Sequence, residues 1–97
     1  MRVQTGVITV ATAGTAVVTD NTANRVYEIT FKALAGNSGL VYVGTDTVSA
    51  ATGFELSPGQ DKTLSLKTFG GSIPLNLFYA NAATNNDKVS WIAILEG

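Results

Sequence analysis

The chain has 97 residues, no cysteine and no histidine, and its 6 Lys+Arg against 7 Asp+Glu give a formal charge of −1. These counts exclude disulfide staples, zinc sites built on thiolate and imidazole, and both Ser-His-Asp and Cys-His catalysis. The basic residues (Arg2, Arg25, Lys32, Lys62, Lys67, Lys88) are scattered, so the chain carries no electrostatic footprint for nucleic acid.

The length fits a single domain spanning residues 1–97. Only 13% of residues are charged, against a usual share of about 25%. Thr, Ser, Asn, Ala and Gly take their place, which leaves a neutral polar surface with little charge repulsion against close contacts. Such a surface suits a protein packed in an assembly, and it equally suits an ordinary monomer. No apolar run approaches the ~20 residues of a membrane helix, and MRVQTGVITVATAG lacks the continuous apolar core of a signal peptide. Neither a membrane nor a nucleic acid is expected as a partner.

In chain order, VQTGVITV (3–10) is rich in β-branched residues and predicts a first strand, with Gly6 as a candidate bulge. Gly14 pivots the turn that follows, TAVVTD (15–20) predicts a short second strand, and Asp20–Thr22 turns again. RVYEITFKAL (25–34) gives the clearest signal: Tyr27, Ile29, Phe31 and Ala33 alternate with Val26, Glu28, Thr30 and Lys32. The aromatic set is expected to face the core. A turn at Gly36–Gly39 then predicts that LVYVG (40–44) pairs back as a hairpin, followed by a small-residue loop plugged by Val48.

After Phe54 and Leu56, Ser57-Pro58-Gly59-Gln60 has the form of a type II turn, since Gly59 takes a positive φ at no steric cost. TLSLK (63–67) alternates with Leu64 and Leu66 inward, and Phe69–Ser72 breaks the chain. IPLNLFYANA (73–82) predicts one further strand, with Pro74 near its start. A turn at 84–88 leads to VSWIAIL (89–95), apolar on both faces, one for the core and the other free for a partner. Seven or eight short strands without a helical segment predict an all-β fold, an antiparallel β-sandwich or jelly-roll.

Chemistry-bearing patterns are sparse, and each has a plainer reading beside it. The seven carboxylates are spread along the chain with no spacing that opposes two across a cleft. Asn81, Asn85, Asn86 and Asp87 offer oxygens to a hard cation, but a hairpin turn explains the same residues. Ser90 and Lys88 share a strand face, without an oxyanion hole to make a nucleophile of the serine. No phosphate-cradling glycine motif occurs. No catalytic residue, metal ligand or cofactor is therefore expected, and the chain reads as a non-enzyme.

Taken together, GNSGLVYVG, GFELSPG and the closing NNDKVSWIAIL resemble small accessory virion proteins of tailed bacteriophages, of the head decoration, cement or head-fibre-base type. The resemblance spans residues 25–95, and its motifs are turns and core strands. It implies a structural protein on the outer surface of the phage head that binds the major capsid protein. It also implies self-association, with a trimer favoured. Residues 1–10 match no part of that pattern and are read as an assembly strand, removable without loss of the sandwich. On this reading the interface candidates are Val3, Val7, Ile8 and Val10, with Ile92 and Ile94 on the second face of the last strand. The alternative is a carbohydrate-binding module that stacks sugars on Tyr42, Tyr79 and Trp91, with Asn76 and Asn81 beside them.

Overall fold

The computed structural model describes residues 2–65 and 71–96. Among the described residues nine strands form in chain order: β1 Arg2–Val10, β2 Val17–Val18, β3 Arg25–Ala33, β4 Val41–Gly44, β5 Phe54–Leu56, β6 Asp61–Ser65, β7 Ile73–Pro74, β8 Tyr79–Ala82 and β9 Asp87–Leu95. They make two antiparallel sheets. The first runs β1-β9-β3-β6, with β7 also on β3, and the second runs β2-β8-β4-β5. The molecule is an antiparallel β-sandwich, as the alternation of the sequence predicts.

The core lies between the sheets because each long strand turns one set of alternate side chains inward. Val89, Trp91, Ala93 and Leu95 of β9 are all buried, and so are Ile29, Phe31 and Ala33 of β3. From the second sheet, Val41, Val43, Leu56, Ala80 and Ala82 meet them. Phe31 and Phe78 bridge the layers, with ring centroids 5.8 Å apart and planes tilted by 54°.

Four sequence expectations change. First, the inward set of β3 is not a single alternation. Val26 pairs with Leu95 and Glu28 with the adjacent Ile94, so Tyr27 is an extra, bulged residue. Val26 thereby joins the core, and Tyr27 is only half-buried.

Second, β4 does not fold back on β3. It sits in the other sheet between β8 and β5. The Gly36–Gly39 segment is therefore a crossover, and side chains fasten it. Asn37 accepts the Lys88 N–H at 2.8 Å and donates to the Lys88 carbonyl at 2.8 Å, continuing the first sheet with an amide side chain. The buried Asp87 carboxylate accepts the N–H groups of Ser38 and Gly39, both at 2.9 Å.

Third, IPLNLFYANA is not one strand. A 3-10 turn at Leu75–Leu77 interrupts it, closed by a hydrogen bond from Phe78 N–H to the Leu75 carbonyl. Leu75 is buried as a result, while Leu77 is exposed. Fourth, Leu64 is partly exposed and Leu66 lies outside the described residues. The Pro58-Gly59 turn forms as expected, with Gln60 N–H donating to the Ser57 carbonyl at 2.9 Å and Gly59 at φ 87°.

β1 departs most from its sequence reading. It pairs with β9 along its whole length, from Arg2 opposite Leu95 to Val10 opposite Asp87, and Gly6 sits in regular register rather than at a bulge. Ile8 and Val10 are core residues, 2% and 0% exposed. They are not available as interface residues, and β1 is an integral strand rather than a removable arm. Burying two such side chains contributes roughly 3–6 kcal/mol, comparable to the net stability of a small domain. Deleting residues 2–10 is accordingly expected to abolish cooperative unfolding in circular dichroism, whereas a retained transition would contradict the pairing.

Two point variants test the rest of the frame by chemical denaturation. Asp87→Ala leaves two N–H groups without their charged acceptor and should cost about 3 kcal/mol. A Cβ built on Gly6 would lie 2.7 Å from Cζ2 of Trp91, whose ring covers this position. Gly6→Ala should therefore destabilise by about 1–3 kcal/mol through overpacking, and an unchanged denaturation midpoint would show that the indole can give way.

Candidate functional site

Catalytic chemistry finds no support among the residues that the sequence singles out. Ser90 Oγ donates to the Lys32 carbonyl at 3.4 Å, and Lys88 Nζ donates to the Asn86 carbonyl at 3.4 Å, so the two do not form a nucleophile pair. Asn81, Asn85 and Asp87 spend their oxygens on backbone. Asn81 Oδ1 accepts from Gly14 at 3.0 Å and from Ala82 at 2.8 Å, while its Nδ2 donates to the Val48 carbonyl at 2.9 Å. Asn85 Oδ1 accepts from Ala13 at 2.7 Å. These side chains staple loops together, and Asn86, at φ 68°, makes the turn. Among the described residues, no three His, Cys, Asp or Glu side chains gather to hold a metal. No described helix is long and apolar enough to cross a membrane.

The sugar-stacking set does not assemble either. Tyr42 and Trp91 are 7% and 5% exposed, and Tyr79 is half-buried in β8. Asn81 is buried, and both ends of its amide are bound to backbone. Trp91 faces the core because β9 alternates inward at odd positions, and its Nε1 is buried without a hydrogen-bond partner. Its ring packs instead against the bare backbone of Gly6.

Two apolar surfaces stand out among the described residues. One is a cleft of about 320 Å³ beside the edge strands β5 and β6, walled by Phe31, Val43, Phe54, Ile73, Leu77 and Phe78. Sequence reading missed it, because Phe54 and Leu77 look like core residues until the short β5 and the 3-10 turn leave them exposed. Lys62 Nζ stands 5.1 Å from the Phe54 ring centroid, a cation-π contact at its rim. The cleft could take an apolar group, and among its described lining residues Lys62 is the one that carries a charge.

The other surface is the outer face of the first sheet, and here register decides what is neighbour to what. Val3 lies opposite Ile94, Thr5 opposite Ile92 and Val7 opposite Ser90 on β1 and β9. Across the next ladder, Ile94 meets Glu28, Ile92 meets Thr30 and Ser90 meets Lys32. Thr30 and Thr63 continue the middle row through a 2.8 Å contact of their hydroxyls. Val3, Val7 and Ile92 are 65%, 57% and 49% exposed, and Ile94 is half-buried beside them. Four of the six interface candidates thus converge on one face of the sheet, bordered by hydroxyls, with charge held at its margins by Glu28, Lys32 and Lys88. Ile8 and Val10 point through the sheet to the other side.

No protein-family model matches the chain, and no curated protein matches it. Among solved structures, it is similar to a cupin superfamily protein from Desulfitobacterium hafniense, with 17% identity and a TM-score of 0.55 over 98% of this chain and 69% of the other. A structure described under Bacillus endospore appendages, a family of disulfide-linked pili, matches with 14% identity and a TM-score of 0.45, over 98% and 88% of the two chains. The first likeness shows the sandwich fold alone.

Proposed function

We propose that the protein is a structural virion component of a tailed phage, a decoration or cement protein that docks on the outside of the head and strengthens it by protein–protein contact. The observation that carries this reading is the outer face of the first sheet, where Val3, Val7, Ile92 and Ile94 form a contiguous uncharged patch. Contiguous exposed apolar residues rimmed by polar ones are a common mark of protein–protein contact sites. The resemblance of the GNSGLVYVG, GFELSPG and NNDKVSWIAIL segments to accessory virion proteins supplies the identity of the assembly, and the major capsid protein is the partner it implies. The protein acts by binding rather than catalysis. Sugar stacking receives no comparable support, since two of its three rings are buried.

Docking through this face predicts a sharp separation of binding from folding. The double variant Val3→Lys, Ile92→Lys alters only outward side chains, so it should keep the wild-type melting temperature. Its co-sedimentation with heads assembled without the protein should fall at least tenfold, as expected when desolvated contacts are replaced by unpaired charges. Undiminished co-sedimentation would overturn the assignment of the face.

A further inference from the structure

Among the described strands the sheets end at β1, at β6 with the two-residue, proline-containing β7 beside it, at β2 and at β5, and all but β1 are blunted. β2 has two residues, β5 has three with Glu55 at its centre, and β6 begins with Asp61 and Lys62. Short strands and charged residues are how sandwich proteins keep their edges from pairing with other chains. β1 is different. It is nine residues long, and from Val3 to Val10 it contains neither a charge nor a proline.

The hydrogen-bond parity of β9 shows which backbone groups of β1 are unused. The Lys88 carbonyl accepts from Leu34 N–H at 3.3 Å and Glu96 N–H donates to the Arg25 carbonyl at 2.9 Å, so the even residues of β9 address β3. Antiparallel ladders alternate, and the odd residues of β9 therefore address β1. Their partners in register are Arg2, Gln4, Gly6, Ile8 and Val10. The N–H and C=O groups of Val3, Thr5, Val7 and Thr9 accordingly point out of the sheet, where no described strand meets them.

We infer that β1 is a homotypic docking edge: it pairs antiparallel with β1 of a second copy, joining the two first sheets into one continuous sheet across a two-fold axis. The strand is self-complementary for this. With Thr5 on the axis opposite the partner's Thr5, Val3 lies against the partner's Val7, and each of these pairs exchanges two hydrogen bonds between outward-pointing groups. The same pairs place β-branched side chains side by side on the outer face, a favourable cross-strand combination. The apolar patches of the two copies, each with Val3, Val7, Ile92 and Ile94, then merge into one. A head-to-tail ring would need β1 to meet a different edge, and the other described edges are blunted. Two-fold pairing thus favours a dimer over the trimer that the phage resemblance implies. It is a property of the chain alone and holds whether or not the outer face binds a capsid.

The test uses the full chain in solution, without heads. Light scattering should show a monomer–dimer equilibrium, and the amides of Thr5 and Val7 should gain hydrogen-exchange protection with concentration. Those of Gly6 and Ile8 should be protected throughout. Thr5→Pro removes an N–H that points out of the sheet, a position where an edge strand tolerates proline, so it should weaken dimerisation at least tenfold while leaving the circular dichroism spectrum unchanged. If that variant fails to fold, Thr5→Lys takes its place and should shift the equilibrium the same way. A monomer at every concentration up to about 1 mM, a dimer indifferent to the folded variant, or a dimer with freely exchanging Thr5 and Val7 amides would each overturn the inference.

Discussion

The structure depends on the ladder that β9 makes on both of its sides. Nine residues long and flanked by β1 and β3, this strand commits every second side chain to the core and every other one to the outer face. A shift of one residue would send Trp91 and Leu95 into solvent and Ile92 and Ile94 into the core. The tight approach of Gly6 to Trp91 opposes such a shift, because among the β1 residues facing β9 only glycine leaves room for the indole. The position of Val3 and Val7 beside Ile94 and Ile92 follows from the same register.

A chain of this length must make one core suffice without disulfides, and polar side chains do part of the work that covalent links do elsewhere. Asp87 and Asn37 tie the crossover between the sheets to the start of β9, while Asn81 ties the Gly14 turn and the Val48 loop to β8. Each satisfies backbone groups that would otherwise be buried or left loose. The clustering of Asn and Asp near the last turn therefore serves the loops. An Asn-rich run in a small β protein can look like a cation site in sequence and be a set of loop staples in space.

Low charge acquires meaning only by location. Among the described residues, charge sits in loops (Asp20, Asp46), on β5 and β6, and around the outer-face patch at Glu28, Lys32 and Lys88, and it is missing from the stretch between Val3 and Val10 and from the Thr5–Ile92–Thr30 row. The edge proposed to pair and the face proposed to dock are both parts of the molecule from which charge is withheld. They adjoin along β1, so any contact that lengthens the sheet also enlarges the face.

The sequence by itself determined the class of fold, because β-branched and aromatic residues alternating with polar ones bury a face only as strands, and because the glycine, proline and asparagine turns cut those strands short. It also determined what the protein lacks, since histidine- and cysteine-based chemistry disappears by counting. It located Ile92 and Ile94 on a second face of the last strand, as period two requires. The tertiary structure decided which strands are neighbours: β4 left β3 for the other sheet, and the bulge at Tyr27 put Val26 in its place in the core while Ile29, Phe31 and Ala33 stayed inward. It also decided which apolar residues are core. Ile8 and Val7 are chemically similar and adjacent, yet one is buried and the other open, because pairing with β9 fixes the side to which each points. Local patterns specify that a strand has two faces, but only its neighbours specify which face meets water.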